Sequence, residues 1–196
     1  MEKVLLAQAE WPLLLKQIKD ISPEIFDEQG DILNLINGEW QNTGNKKLFS
    51  SPIDGTILGY YPMLNTAAGK SAVEHCHKEL KDWKKIELDK RKELVSNTIR
   101  EIEKYKNLLA YILVWEIGKP FPQALDGVER CISGVKWYLD NIEVMLGNRK
   151  PLGLISNIAS WNYPLSVLVH ACLVQVLSGN AVIAKTPSDG GLWSLS

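Results

Sequence analysis

Residues 151–185, PLGLISNIASWNYPLSVLVHACLVQVLSGNAVIAK, decide the fold. Leu152 to Ile158 is rich in branched residues without clean alternation, the texture of a parallel strand buried on both faces. A tight turn follows. Pro164 suits the first turn of a helix that runs to about Leu177 and stops at Gly179-Asn180. Ala181, Val182, Ile183 and Ala184 then read as a second buried strand. Two strands joined by a helix of this length should run parallel, with a right-handed crossover.

That geometry is half of a nucleotide-binding unit, and it has a consequence for two polar residues. Asn162, just after the first strand, and Lys185, at the end of the second, must share the carboxyl edge of the sheet, where open α/β sheets bind ligands. Asn162 also stands at the amino end of the crossover helix, where free N–H groups and the helix dipole favour negative charge. A carboxamide there could donate to an oxyanion. The same local pattern equally suits Asn162 as a helix cap and Lys185 as an exposed strand end.

Upstream, three long helical patterns precede this unit. One runs from Asn65 or Thr66, as cap, to about Trp83. The next has Leu94, Thr98, Ile102, Tyr105, Leu109 and Ile112 at spacings of three and four from about Asp89 to Glu116, one long helix or two in tandem, stopped by Gly118 and Pro120. The last, about Pro122 to Met145, sets Ala124, Val128, Ile132, Val135, Leu139 and Ile142 on one stripe and ends at Gly147. Before them, Asn34 to Pro62 carries Asn-Gly, Thr-Gly and Asp-Gly turn signals between short β-branched or alternating runs, predicting two or three short strands. Residues 1–33 hold two short helical patterns, with Ser22 before Pro23 and a stop at Gly30, and are read as an added helical arm to a domain over 34–196.

Composition narrows the function classes. With 45% hydrophobic and 23% charged residues the chain lies in the globular range. A net charge of −1, with acidic and basic residues interleaved, provides no footprint for nucleic acid or anionic lipid. The longest apolar stretch, Leu165 to Leu177, is interrupted by His170 and Gln175 and falls short of the ~20 residues of a membrane span. Three widely spaced cysteines, Cys76, Cys131 and Cys172, do not form a disulfide framework, and with no amino-terminal signal pattern they predict a reducing, cytoplasmic setting.

Several ordered motifs resemble one family. SWNYP followed by a helix, Gly179-Asn180 and AVIAKTPSD resembles a segment of the NAD(P)-dependent aldehyde dehydrogenases. Ile36-Asn37-Gly38-Glu39-Trp40, Ser51-Pro52-Ile53-Asp54-Gly55, Glu116-Ile117-Gly118-Lys119-Pro120 and Pro151-Leu152-Gly153 occur in the family's order, so the resemblance covers roughly residues 34–196. It implies an incomplete, Rossmann-type α/β cofactor-binding domain with a parallel β-α-β unit, NAD or NADP as cofactor, and a small-molecule aldehyde as substrate. It further implies that Asn162 stabilises the oxyanion of a covalent thiohemiacetal. Ile158, Ser160 and Trp161 would lie along the cofactor, and Lys185 would reach the adenosine ribose or a 2′-phosphate. Ser188 falls where many members carry a ribose-binding glutamate.

The chain also departs from the family. Ser160 replaces the usual proline before Trp-Asn, and Ser188 replaces a carboxylate, which weakens the argument for strict NAD preference. Leu146 to Pro151 is much shorter than the two-stranded excursion through which many members pair subunits. The family's glycine-rich helix start, general-base glutamate and nucleophilic cysteine all fall beyond Ser196, eleven residues after Lys185. This chain alone is therefore expected not to turn over. Two rival readings follow: a non-catalytic nucleotide-binding or interaction module that self-associates through an unfinished sheet edge, or a gene fragment without independent function.

Other features have plainer readings. His75-Cys76-His77 suggests a metal cluster, but adjacent helical residues point about 100° apart, so a surface helix is preferred. His170 on an apolar helix reads as a satisfied core residue rather than a base. The seven tryptophans fall mostly on helical stripes and, Trp161 apart, read as packing. Lys119 reads as a solvated residue after a helix stop.

Overall fold

The computed structural model describes residues 2–187. Its amino-terminal helix α1 (Glu2–Ile21) is one continuous element containing Pro12, and the second helical pattern is only a 3-10 turn, Pro23–Ile25. Ser22 makes no side-chain capping bond there, so Pro23 starts a turn that nothing propagates. Trp11, Leu14 and Ile18 are buried with Ile112 and Trp115. The indole rings of Trp11 and Trp115 lie 5.9 Å apart.

The turn-rich segment forms four short strands, more than the two or three expected. Strands β1 (Asn34–Ile36) and β2 (Glu39–Gln41) are antiparallel about Asn37-Gly38, both at positive φ (56° and 79°). That pair of left-handed residues twists a two-residue hairpin in the hand the strands require. Strands β3 (Lys46–Ser50) and β4 (Ile57–Pro62) form a second antiparallel pair with a bulge at Phe49/Ser50.

Helix α2 (Thr66–Trp83) is capped by Asn65, whose side chain accepts from the Ala68 N–H at 2.8 Å. The long pattern that follows is two helices in tandem, α3 (Leu88–Lys104) and α4 (Lys106–Ile117), separated at Tyr105. Gly118, left-handed at φ 69°, ends α4. The buried hydroxyl of Ser51 donates to the Trp115 carbonyl at 2.7 Å and pins the second hairpin to this helix end. Helix α5 (Phe121–Leu146) buries Ala124, Val128, Cys131, Ile132, Val135 and Ile142 in the main core, with Val95, Ile99, Ala110, Leu165 and Leu177.

The carboxyl-terminal unit has the predicted parallel topology. Strand β5 (Leu154–Ile158) pairs in parallel with β6 (Ala181–Lys185), from Leu154 opposite Ala181 to Ile158 opposite Lys185. The crossover is a π-helical turn, Leu165–Val169, continuous with α6 (His170–Leu177). Buried Asn180 locks the amino ends of the strands: its Oδ1 accepts from the Gly153 N–H at 2.9 Å and its Nδ2 donates to Gln175 at 3.1 Å. The Trp83 indole N–H donates to the Val176 carbonyl at 3.0 Å and ties α2 to α6.

One expectation about these strands fails. β5 and β6 are half-exposed rather than buried on both faces, with Ile158 69% exposed. Among the described residues the two strands pair only with each other, so each keeps one unpaired flank.

Candidate functional site at the carboxyl edge of the parallel pair

The parallel register sets the site. Ile158 and Lys185 are direct partners across the pair, and the Ala159 N–H donates to the Lys185 carbonyl at 2.9 Å, the last rung before the chains separate. From that rung β5 turns through Ser160, Trp161, Asn162 and Tyr163 to Pro164, while β6 leaves through Thr186. Asn162 and Lys185 thus follow the carboxyl ends of neighbouring parallel strands, on one border of the sheet.

Ile158, Ser160, Trp161, Asn162 and Lys185 are all exposed there. Trp161, at 57% exposure, is an indole outside the core, so the packing that explains Trp11 and Trp115 does not explain it. Among the described residues, the Lys185 ammonium donates to the neighbouring Thr186 carbonyl, at 2.9 Å. Ser188, the sixth residue predicted for the site, lies outside the described residues.

The turn fixes Asn162 through Ser160, whose hydroxyl donates to Asn162 Oδ1 at 2.8 Å. Oδ1 accepts from this hydroxyl and not from a helix N–H, so Asn162 does not cap the crossover. An amide whose oxygen is held in this way turns its NH2 group the other way. No described residue accepts from that Nδ2.

Sequence reasoning missed three features here. Ser160 was legible only as a departure, not as the group that orients the amide. Lys119 is half-buried rather than solvated, with its ammonium 3.5 Å from the centre of the Tyr163 ring. Arg130 approaches the same ring at 5.3 Å. Their only sequence signal is position, since Lys119 follows the Gly118 stop and Tyr163 follows Asn162.

Burial holds the three thiols above their ordinary value. Cys131 is fully buried, and burial pushes its thiol up to about 12, partly countered by a hydrogen bond with the His170 backbone. Burial also raises Cys172, against a donation from Asn157, and raises Cys76 together with the charge of Glu79. A reactive cysteine needs the opposite environment, exposed and electropositive. No cluster of three or more His, Cys, Asp or Glu side chains that could hold a metal occurs among the described residues. No described helix is long and apolar enough to cross a membrane.

Comparison with known proteins places this geometry in context. The model of the aldehyde dehydrogenase family matches residues 40–195. A lactaldehyde dehydrogenase of Methanococcus aeolicus is 26% identical over 165 residues, which cover 78% of this chain and 35% of that protein. An NADP-dependent glyceraldehyde-3-phosphate dehydrogenase of Bacillus halodurans, solved with NADP, superposes with a TM-score of 0.77 at 24% identity, covering 84% of this chain and 39% of that one. A 1-pyrroline-5-carboxylate dehydrogenase of Thermus with bound NAD superposes at 0.76 and 22% identity, covering 90% and 36%. The chain spans little more than a third of the length of each.

Proposed function

The chain belongs to the aldehyde dehydrogenase family, and from that premise we propose that it is part of an oxidoreductase that converts an aldehyde to a carboxylate with NAD or NADP. The observation that carries this reading is the parallel register of β5 and β6, which brings a free carboxamide N–H and an ammonium to one border. Asn162 Nδ2 donates to the aldehyde oxygen as negative charge develops on it, and Ser160 holds the amide in the donating orientation. Because Oδ1 is engaged beforehand, little reorganisation is needed when the charge appears.

The chemistry of the border suits a dinucleotide. Exposed Ile158 and Trp161 offer apolar surface to a flat heterocycle, and Lys185 offers a cation to ribose hydroxyls or a 2′-phosphate. When bound, NAD(P) supplies the hydride acceptor. Ser188 follows Lys185 by three residues in the sequence and carries no negative charge that would oppose a 2′-phosphate. The related structures carrying NADP and NAD support either cofactor.

We assign the attacking nucleophile to none of the three thiols of this chain: Cys76 lies on α2, Cys131 inside the main core, and Cys172 on α6 within reach of Asn157, and burial raises each. The 196 residues therefore bind and polarise but do not turn over alone. Three free cysteines support a reducing, cytoplasmic setting. The unpaired flanks of β5 and β6 favour a second reading, a module that completes its sheet against another strand or a second copy.

Titration of the chain with NAD+ and NADP+, followed by tryptophan fluorescence, tests the cofactor border. Saturable quenching that is lost in Trp161→Ala supports it, and no response to either dinucleotide defeats it. Aldehyde-dependent formation of NAD(P)H by the polypeptide containing this chain tests the reaction. Sedimentation of the chain as a monomer would remove the second reading.

A further inference from the structure

The crossover leaves the Asn162 turn as a π-helical turn, Leu165–Val169, before it becomes the α-helix α6. Such turns are rare and close a wider hydrogen-bonded ring than an α turn, so packing has to hold them. Here the closing bond runs from the His170 N–H to the Leu165 carbonyl, five residues back. Were it to move to Ser166, four residues back, everything before Leu165 would turn by about 100° around the helix axis, one residue of a 3.6-residue turn. Asn162 would then leave the border it shares with Lys185.

His170 sits in a socket on α5. Cys131, Gly134 and Tyr138 follow one another at spacings of three and four, on one stripe of that helix. Cys131 is hydrogen-bonded with the His170 backbone, and the Tyr138 ring stands 5.6 Å from the imidazole. Gly134 leaves room for the ring: a methyl group there would lie 3.1 Å from Cε1 and 3.2 Å from Nε2. Alanine is the better residue for a helix interior, so what glycine provides at 134 is space for the imidazole. Gly127, earlier on the same helix, faces nothing within 4 Å.

The imidazole is not the satisfied core residue expected from the sequence. Its buried Nε2 has no hydrogen-bond partner among the described residues, and an unpaired buried nitrogen costs stability. What fixes the ring is shape, as a wedge between α5 and the crossover. Upstream of it Pro164, Leu165 and Leu168 are buried too. The segment from His170 back to Pro164 is thus anchored along its length, and Asn162 stands two residues beyond its buried end.

We propose that His170, wedged against Gly134, is a positioning residue for Asn162: it locks the π register of the crossover and so keeps the carboxamide at the carboxyl border of β5 and β6. This role rests on the proposed function only for what the carboxamide does there, since the link itself is built by this chain. Ser160 fixes the rotation of the amide, and the socket fixes the place from which it rotates.

The side-chain NH2 resonances of Asn162 in the 196-residue chain, identified by their loss in Asn162→Ala, read this link without turnover. Gly134→Ala pushes a methyl group into the ring and His170→Ala empties the socket, and both should displace those resonances. Gly127→Ala, with open space before it, should leave them in place. Added to His170→Ala, Gly134→Ala should displace them no further, because the methyl group then meets no ring. Unmoved resonances in both socket variants, or an equal displacement in Gly127→Ala, would overturn the link.

In the polypeptide containing this chain, His170→Ala should lower kcat for aldehyde oxidation by roughly 10- to 100-fold, the effect of a small misplacement of a catalytic group. Once Asn162 is alanine it should lower kcat no further. A histidine that merely stabilised the fold would reduce activity equally in both backgrounds, and that result counts against positioning. An unchanged kcat in Asn162→Ala, while the socket variants still displace the Asn162 resonances, would sink the oxyanion reading and leave the socket's hold on the turn standing.

Discussion

Ser160 and Asn162 are joined by a 2.8 Å hydrogen bond in which the hydroxyl donates and the amide oxygen accepts. A proline at position 160 would stiffen the backbone but could not hold the amide. The serine therefore does by hydrogen bonding what a rigid turn does by restricting dihedrals: it limits the orientations of Asn162. In the polypeptide containing this chain, Asn162→Ala is expected to lower kcat by ~10²–10³, as for other oxyanion donors. Ser160→Ala should lower it by roughly two- to tenfold, the worth of one neutral hydrogen bond. The two losses should not add, because Ser160 acts through Asn162. Full additivity in the double variant would mean that Ser160 does something else.

Lys185 offers a sharper test of the cofactor border. It is exposed and, among the described residues, donates to Thr186 alone, so its removal disturbs no packing among them. Lys185→Ala should leave thermal stability unchanged and weaken NADP+ by about tenfold, the loss of one charge-assisted contact. NAD+, lacking the 2′-phosphate, should lose less. Equal losses for the two dinucleotides would remove the 2′-phosphate contact from the account.

Gly179 is a position where only glycine fits. Its φ is 87°, and a methyl group there would stand 2.8 Å from Pro151 Cγ and against the Arg91 guanidinium. The left-handed backbone costs a Cβ-bearing residue about 1–2 kcal/mol, and overpacking adds about 1–3 kcal/mol. Gly179→Ala should therefore destabilise by about 2–5 kcal/mol in urea unfolding. It should also loosen Asn180 and the first rung of β5–β6, visible as faster hydrogen exchange at Gly153 and Ala181. A change below about 0.5 kcal/mol would show that the turn relaxes freely.

The local elements were legible in the sequence wherever a strong periodicity met a clear stop. α2 begins at its cap and α5 ends at Gly147 because Asn65 and that glycine each satisfy a terminus chemically. The parallel pair was legible because a helix of that length cannot connect antiparallel neighbours so closely. The number of short strands was harder to read, since β1 and β2, three residues each, carry too few positions to show a period. Burial of β5 and β6 was over-read, because a branched composition records what a strand can pack against and not what covers it. At the site, the placement of Asn162 and Lys185 followed from strand ends, but the contacts of Ser160, Lys119 and Arg130 depend on side-chain directions across turns, which spacing does not encode.

Lys46 reaches from β3 to both Asp27 and Asp31 at 2.6 Å, binding the segment after α1 to the second hairpin. Burial alone would raise the Asp27 carboxyl, but donations from Lys46 and from the backbone of Asp31 and Gln29 prevail and hold it below the ordinary 3.8. A depressed carboxyl stabilises the fold above the ordinary value, and that contribution disappears as pH falls through the lowered one. Stability of the native chain should thus decline below about pH 4, and Lys46→Met should flatten that part of the profile while lowering stability at neutral pH. An acid limb of the same slope in Lys46→Met would exclude Asp27 as its source.

Cys131 sets the opposite limb. Its side chain is 0% exposed inside the main core, and burial pushes the thiol from the ordinary 9.0 up to about 12. The folded chain therefore keeps a proton that the unfolded chain releases near pH 9. Above that point the native state binds more protons than the unfolded state, so stability falls as pH rises and continues to fall until the folded value is reached. The slope contributed by this one group is on the order of 1 kcal/mol per pH unit. Cys131→Ala removes the titration and leaves a small cavity, costing about 1 kcal/mol near neutrality. The two unfolding curves should consequently meet about one pH unit above 9 and cross before pH 12, whatever the exposed lysines and tyrosines contribute, because those groups are common to both proteins. Native Cys131 should also resist iodoacetamide at pH values where the unfolded chain is alkylated. Parallel stability profiles with a constant gap, or rapid native alkylation, would show that this thiol is not held protonated by the core.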